Sequence, residues 1–96
     1  VRDYEIVGMV KSYDSETKTA TVLQKNRIFE GEEVEVLRPD VPYFKIKIED
    51  MYDLDKDRKT DVANRAHMMF TIKVDTPLKV NDMLVKANNV ININNN

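Results

Sequence analysis

Tyr4-Glu-Ile-Val-Gly-Met-Val-Lys-Ser-Tyr13, then Asp14-Ser-Glu-Thr-Lys18, then Thr19-Ala-Thr-Val-Leu-Gln-Lys25 read in succession as strand, turn and strand. In the first strand Tyr4, Ile6, Gly8 and Val10 share one face, and Val7 and Met9 share the other. A strand apolar on both faces is covered on both sides or lies at the seam of a closed barrel. Gly8 in mid-strand predicts a bend or a close backbone approach. Asp14 and Ser15 favour turning, because their side chains bond their own backbone. A hairpin loop of this length wants a left-handed residue near its end, usually glycine. Here that place falls on Lys18, so Lys18→Gly should stabilise the chain.

Working outward, Thr19 to Lys25 alternates, with Ala20, Val22 and Gln24 on one face. A loop from Asn26 to Glu33 follows, with Gly31 as its punctuation and Ile28 and Phe29 as inward anchors. Val34 to Leu37 is a third strand, ended by Pro39, Asp40 and Pro42. Tyr43 to Glu49 places Phe44, Ile46 and Ile48 one way and Tyr43, Lys45, Lys47 and Glu49 the other, a strand with one wet face. A short strand near Met51 to Asp53 precedes a polar turn, and one helical turn stays open for Val62 to His67. Met68, Phe70, Ile72 and Val74 then alternate with Met69, Thr71, Lys73 and Asp75, and Met83 to Lys86 closes the series. Two segments share a plan: Phe29-Glu-Gly-Glu-Glu-Val-Glu-Val36 and Leu78-Lys-Val-Asn-Asp-Met-Leu-Val85 each set an apolar anchor before an acidic turn and a strand. Many short strands without an amphipathic helix predict an all-β fold, a small closed or nearly closed antiparallel barrel over residues 1–86. Residues 87–96 form an asparagine-rich tail.

Ninety-six residues suit one domain. The net charge of −2 weighs against a dedicated nucleic-acid binder but leaves room for a local basic patch. The absence of cysteine removes disulfides, thiolate nucleophiles and zinc-thiolate sites, and fits a cytoplasmic setting. No apolar run approaches the roughly 20 residues of a membrane span, so no membrane partner is expected. The opening valine falls in mid-pattern, as expected of a piece of a larger protein.

The chemistry-bearing residues are few. Asp53, Asp55 and Asp57 alternate like the start of a calcium loop, but Arg58 stands where glycine is required and Asn64 where a bidentate glutamate belongs. A solvated acidic turn fits better. His67 is the only histidine, and no nucleophile and acid accompany it as a catalytic triad would need. No catalytic residue, metal site or cofactor is assigned. Lys25, Arg27, Lys45, Lys47 and Lys73, with Tyr43 for stacking, are the candidate substrate- or RNA-binding residues, set against an ordinary mixed surface. The methionines read as core gap-fillers.

Tyr4 to Val10, Tyr13-Asp14, Ala20-Thr21-Val22, Gln24 to Arg27 and Phe29 to Val36 together resemble the C-terminal domain of the U32 peptidase family, the bacterial collagenase-like proteases. Met51-Tyr52-Asp53, Asp61-Val62-Ala63 and Pro77 to Leu84 continue the resemblance, which covers residues 4–86. Lys18 stands where the family often has glycine, Asn64 to His67 replaces a Pro-His-Pro-like stretch, and the turn at Asp55 lacks its usual glycine. The resemblance implies a barrel similar to the second domain of elongation factor Tu. It implies catalytic machinery in a preceding domain, in parents that are peptidases (hydrolases) or that act in RNA base hydroxylation. This chain is then a non-catalytic accessory domain. Its expected partners are its own upstream catalytic domain and either a tRNA or rRNA or a protein substrate. The alternative is a structural domain that docks on the catalytic domain or mediates oligomerisation, with Val7, Met9 and Ile28 as candidate docking residues.

Overall fold

The computed structural model describes residues 2–89. They form ten strands: β1 (Arg2–Asp14), β2 (Thr19–Gln24), β3 (Ile28–Phe29), β4 (Glu33–Leu37), β5 (Phe44–Lys47), β6 (Tyr52–Asp53), β7 (Arg58–Lys59), β8 (Val62–Ala63), β9 (Met69–Lys73) and β10 (Met83–Asn89). Eight make one antiparallel sheet in the order β5-β4-β10-β1-β2-β9-β6-β7, and β3 pairs with β8. The fold is all-β, and no helix among the described residues is long and apolar enough to cross a membrane. Val62 to His67 forms no helical turn: β8 is followed by a turn in which Met68 N–H bonds Arg65 O and His67 is left-handed, φ 61°. β10 runs past the expected boundary at Lys86 to Asn89, pairing with the start of β1; the rest of the asparagine-rich tail lies outside the described residues.

The opening strand is longer than its apolar run and is broken by two register shifts, between Ile6 and Gly8 and between Val10 and Ser12. The first shift inserts Val7 as an extra residue and turns the pleat over. Tyr4 and Ile6 therefore stay exposed, while Val7, Gly8 and Val10 all enter the core. This corrects the simple alternation expected for Tyr4 to Val10. Gly8 has the predicted close approach: a Cβ there would stand 2.5 Å from Val22 Cγ1 and 3.3 Å from Leu23 O. Lys18 adopts φ 55° in the β1–β2 turn, where Asp14 Oδ1 accepts from Glu16 N–H at 2.9 Å.

The core joins Val7, Val10, Ala20, Val22, Val34, Val36, Ile46, Phe70, Ile72 and Leu84 from strands across the sheet, with Ile48 from the segment after β5. Where a closed or nearly closed barrel is expected, no closed barrel is found: no ladder joins the edge strands β5 and β7 among the described residues. After Lys47 the chain leaves the sheet. Ile48 N–H bonds Glu32 O, Asp50 turns left-handed at φ 53°, and one backbone bond, Lys73 N–H to Glu49 O at 2.9 Å, ties this segment to β9.

The two acidic turns share a plan, one residue out of the register read from sequence. Glu32 N–H donates to Phe29 O, and Phe29 N–H donates to Glu32 Oε1 at 2.8 Å. Likewise Asp82 N–H donates to Lys79 O, and Lys79 N–H donates to Asp82 Oδ2 at 2.8 Å. Gly31 (φ 94°) and Asn81 (φ 75°) are the left-handed residues. The matching buried anchors are thus Ile28 and Leu78, and Phe29 points to solvent at 46% exposure instead of inward.

Candidate nucleic-acid interface

Alternation on β2 carries Ala20 and Val22 into the core and sends Gln24 to the end of the same face. There the sheet opens into a cleft of about 490 Å³, lined by Glu5, Gln24, Lys25, Arg27, Asn64 and Lys86 among others. The segments meet for backbone reasons. Lys25 N–H and Asn26 N–H both donate to Val7 O, and the Asn26 side-chain amide donates to Ile6 O at 2.7 Å, folding the end of β2 over the bulge of β1. Lys86 lies opposite Glu5 in the β1–β10 ladder and reaches Glu32 at 3.4 Å. The Arg27 guanidinium lies 5.9 Å from the Phe29 ring centre. Lys25, Arg27 and Lys86 share the cleft wall with Glu5, and because Lys86 is also paired with Glu32 the positive excess rests on Lys25 and Arg27.

The candidate cations do not form one patch. Lys25 and Arg27 line this cleft, whereas Lys45, Lys47 and Lys73 line a second, of about 220 Å³, together with Glu49 and Asp75. Lys73 Nζ is also engaged, donating to Thr17 O at 3.2 Å. Tyr43, 55% exposed, lines neither cleft. Asn64, Lys86 and Glu5 were missed in the sequence because they come from three separated segments; only the backbone pairing brings them together.

Two of the candidate docking residues are corrected. Val7 (1% exposed) and Ile28 (0%) are core residues, Val7 because of the bulge and Ile28 because it anchors the first acidic turn. Met9 remains half-buried at the surface. It belongs to a band that crosses the outer face in register: Leu37 opposite Met83, Met83 opposite Met9, Met9 opposite Leu23, and Leu23 opposite Met69. All five are half-buried, so the methionines at 9, 69 and 83 are not core gap-fillers.

The buried charges hold loops. Asp82 takes a two-pronged pair from Arg38, Nε to Oδ1 at 3.0 Å and Nη2 to Oδ2 at 2.5 Å, and Arg38 also lies 5.1 Å from the Phe44 ring centre. Arg65 Nη2 bridges Asp53, at 2.9 Å, and Asp55, at 3.5 Å. Burial opposes ionisation of Asp53, but hydrogen bonds from the Lys56 N–H and from Arg65 outweigh it and hold the carboxyl below its ordinary value. The stability this gives is present above the ordinary carboxylate range and is lost as pH falls through the lowered value. Tyr52 O–H donates to Asp57, which raises the phenol's pKa. In the calcium-like stretch Asp53 and Asp55 thus share Arg65 while Asp57 accepts from Tyr52, and no cluster of metal-ligating residues occurs among the described residues.

Comparison with known proteins agrees with the fold. A Bacillus subtilis (strain 168) protein, tRNA hydroxylation protein P1, is 31% identical over 84 residues. That match covers 88% of this chain and 20% of the relative, so the chain spans about a fifth of the relative's length. Two crystal structures of the C-terminal domain of a Geobacillus thermoleovorans protein assigned to the U32 peptidases are also similar. The selenomethionine variant gives a TM-score of 0.78 at 36% identity, covering 85% of this chain and 99% of that one. The other gives 0.77 at 35% identity, covering 88% and 93%. Residues 2–84 match the family pattern described as Peptidase family U32 C-terminal domain, and the chain belongs to that family.

Proposed function

We propose that this chain is a non-catalytic, RNA-binding accessory domain that positions a tRNA or rRNA for a catalytic domain elsewhere in its parent protein, in the cytoplasm. The observation that carries this reading is the cleft at the end of the sheet, where Lys25 and Arg27 outnumber Glu5 and Lys86 is held by Glu32, in a protein whose net charge is −2. A local excess of cations on an acidic protein is what phosphate binding needs. The relative that acts in tRNA hydroxylation favours RNA over a protein substrate. It likewise favours an RNA-modifying parent over a peptidase. The expected likeness to the second domain of elongation factor Tu belongs to the same reading. Titration of the domain with tRNA at low salt tests it. Binding should weaken steeply with added salt, and Lys25→Glu with Arg27→Glu should abolish it, whereas Lys45→Glu with Lys47→Glu should change it little. No binding of tRNA at low salt removes the reading.

The outer band favours a second, compatible role. Leu37, Met83, Met9, Leu23 and Met69 form a continuous apolar strip on a face that core packing does not use. The chain corresponds to a fifth of its relative, so a catalytic remainder is a fitting occupant. Met9→Glu should then weaken association with that remainder, read by co-purification of the separately expressed parts, without loss of tRNA binding.

A further inference from the structure

We propose that the cleft at the end of β2 takes one unstacked nucleotide of a single-stranded RNA segment, with Gln24 as the group that senses the base. This rests on the RNA-binding reading above. Gln24 is 4% exposed. Its Nε2 donates to Ala63 O at 3.2 Å, and its Oε1 has no hydrogen-bond partner. An unpaired buried acceptor is costly, and the cost is recovered only by a donor. The other wall residues sort the ligands that can supply one.

A carboxylate meets Lys25 and Arg27 but brings no donor to Gln24 Oε1, and a bare phosphate brings at most its own O–H, on the same small group that the cations hold. A neutral amide supplies the donor but not the charge. A nucleotide supplies both, as a phosphate for the cations and base N–H groups for the amide. The volume of about 490 Å³ lies within the range of about 300–1,000 Å³ usual for small-ligand sites. Asn64 and Ala66 line the cleft next to Ala63, whose carbonyl holds the Gln24 amide. Oε1 is covered in this structure, so base access requires an outward shift of that flank that uncovers Oε1 and keeps the Gln24 bond to Ala63 O. The Arg27 guanidinium beside Phe29 adds a flat cationic surface at the rim for a neighbouring base.

The test is a titration of the whole chain followed by amide NMR, with adenosine 5′-monophosphate and inorganic phosphate as separate probes. Adenosine 5′-monophosphate should shift the Gln24 side-chain amide and the Asn64 amide, while phosphate should move only the backbone amides around Lys25 and Arg27. Gln24→Met, which keeps the length of the side chain, should weaken the nucleotide about tenfold and leave phosphate unchanged. A Gln24 amide that does not move at saturating nucleotide overturns the proposal, as does a Gln24→Met chain that is folded and binds nucleotide as well as the parent sequence. These outcomes separate the two readings. If tRNA binds but the Gln24 amide is silent, the cleft is a phosphate site only and the RNA reading stands. If neither tRNA nor nucleotide binds, both fall.

Discussion

The turns from Ile28 to Glu33 and from Leu78 to Met83 have the same backbone plan and different surroundings. Each has a buried anchor, a left-handed fourth residue and a carboxylate that caps the N–H three residues before it. In the first, the carboxylate of Glu32 sits at the surface and reaches Lys86 at 3.4 Å, both side chains about one-third exposed. In the second, the Asp82 side chain is 2% exposed and holds Arg38, itself 15% exposed. The comparison teaches that a cap and a buried ion pair are separable devices. The short aspartate, sealed against the sheet, does both, while the longer glutamate has its charge mostly in water.

The largest expected difference lies in those carboxylates. Asp82→Ala leaves Arg38 unpaired in a mostly buried site and should cost about 3 kcal/mol, read as a lower urea midpoint at unchanged slope. An equal effect in the two turns would break the distinction. The next effect concerns the left-handed residues. Gly31→Ala should cost about 1–2 kcal/mol because of its φ of 94°, although no atom within 4 Å opposes the new Cβ. Asn81→Gly, by contrast, should be neutral or slightly stabilising, since asparagine already tolerates φ 75°. Smaller still is Glu32→Ala, expected to cost about 1 kcal/mol, mostly through the lost cap, and to respond little to salt once the weak pair with Lys86 is removed. The smallest shift belongs to the β1–β2 turn, which shares only the left-handed residue with these two. Lys18→Gly should raise the melting temperature by about 2 °C, and a fall would show that the φ of 55° carries no strain.

What was legible in the sequence follows from where side chains alone decide the structure. Met68, Phe70, Ile72 and Val74 alternate with Met69, Thr71, Lys73 and Asp75, and all four are buried as that period requires. The bulge at Val7 was not legible, because an apolar run with residues suited to either face looks the same with or without an inserted residue. β7 was missed because Arg58 and Lys59 have no apolar signal; only pairing with Tyr52 and Asp53 makes them a strand. Whether the sheet closes stayed open for a similar reason: nothing in the residue types of β5 tells whether it finds a partner. Of the cleft, Lys25 and Arg27 were visible as cations and Gln24 as the end of a buried face. Its unpaired acceptor depends on Ala63, thirty-nine positions away, and could not be read from β2.

The pairing of β1 with both β2 and β10 also sets the order in which this domain can assemble. The β1–β2 hairpin closes over a turn of four residues and costs little loop entropy, so it forms early. The β1–β10 ladder joins Arg2 to Asn89 and cannot form until nearly all the intervening chain has been gathered in. Refolding should therefore be slow for a chain of this size, in the range of milliseconds to seconds expected of sheets rich in distant pairings, and limited by the docking of β10. The Arg38–Asp82 pair stands at the entrance to that strand, so its loss should slow refolding as well as hasten unfolding.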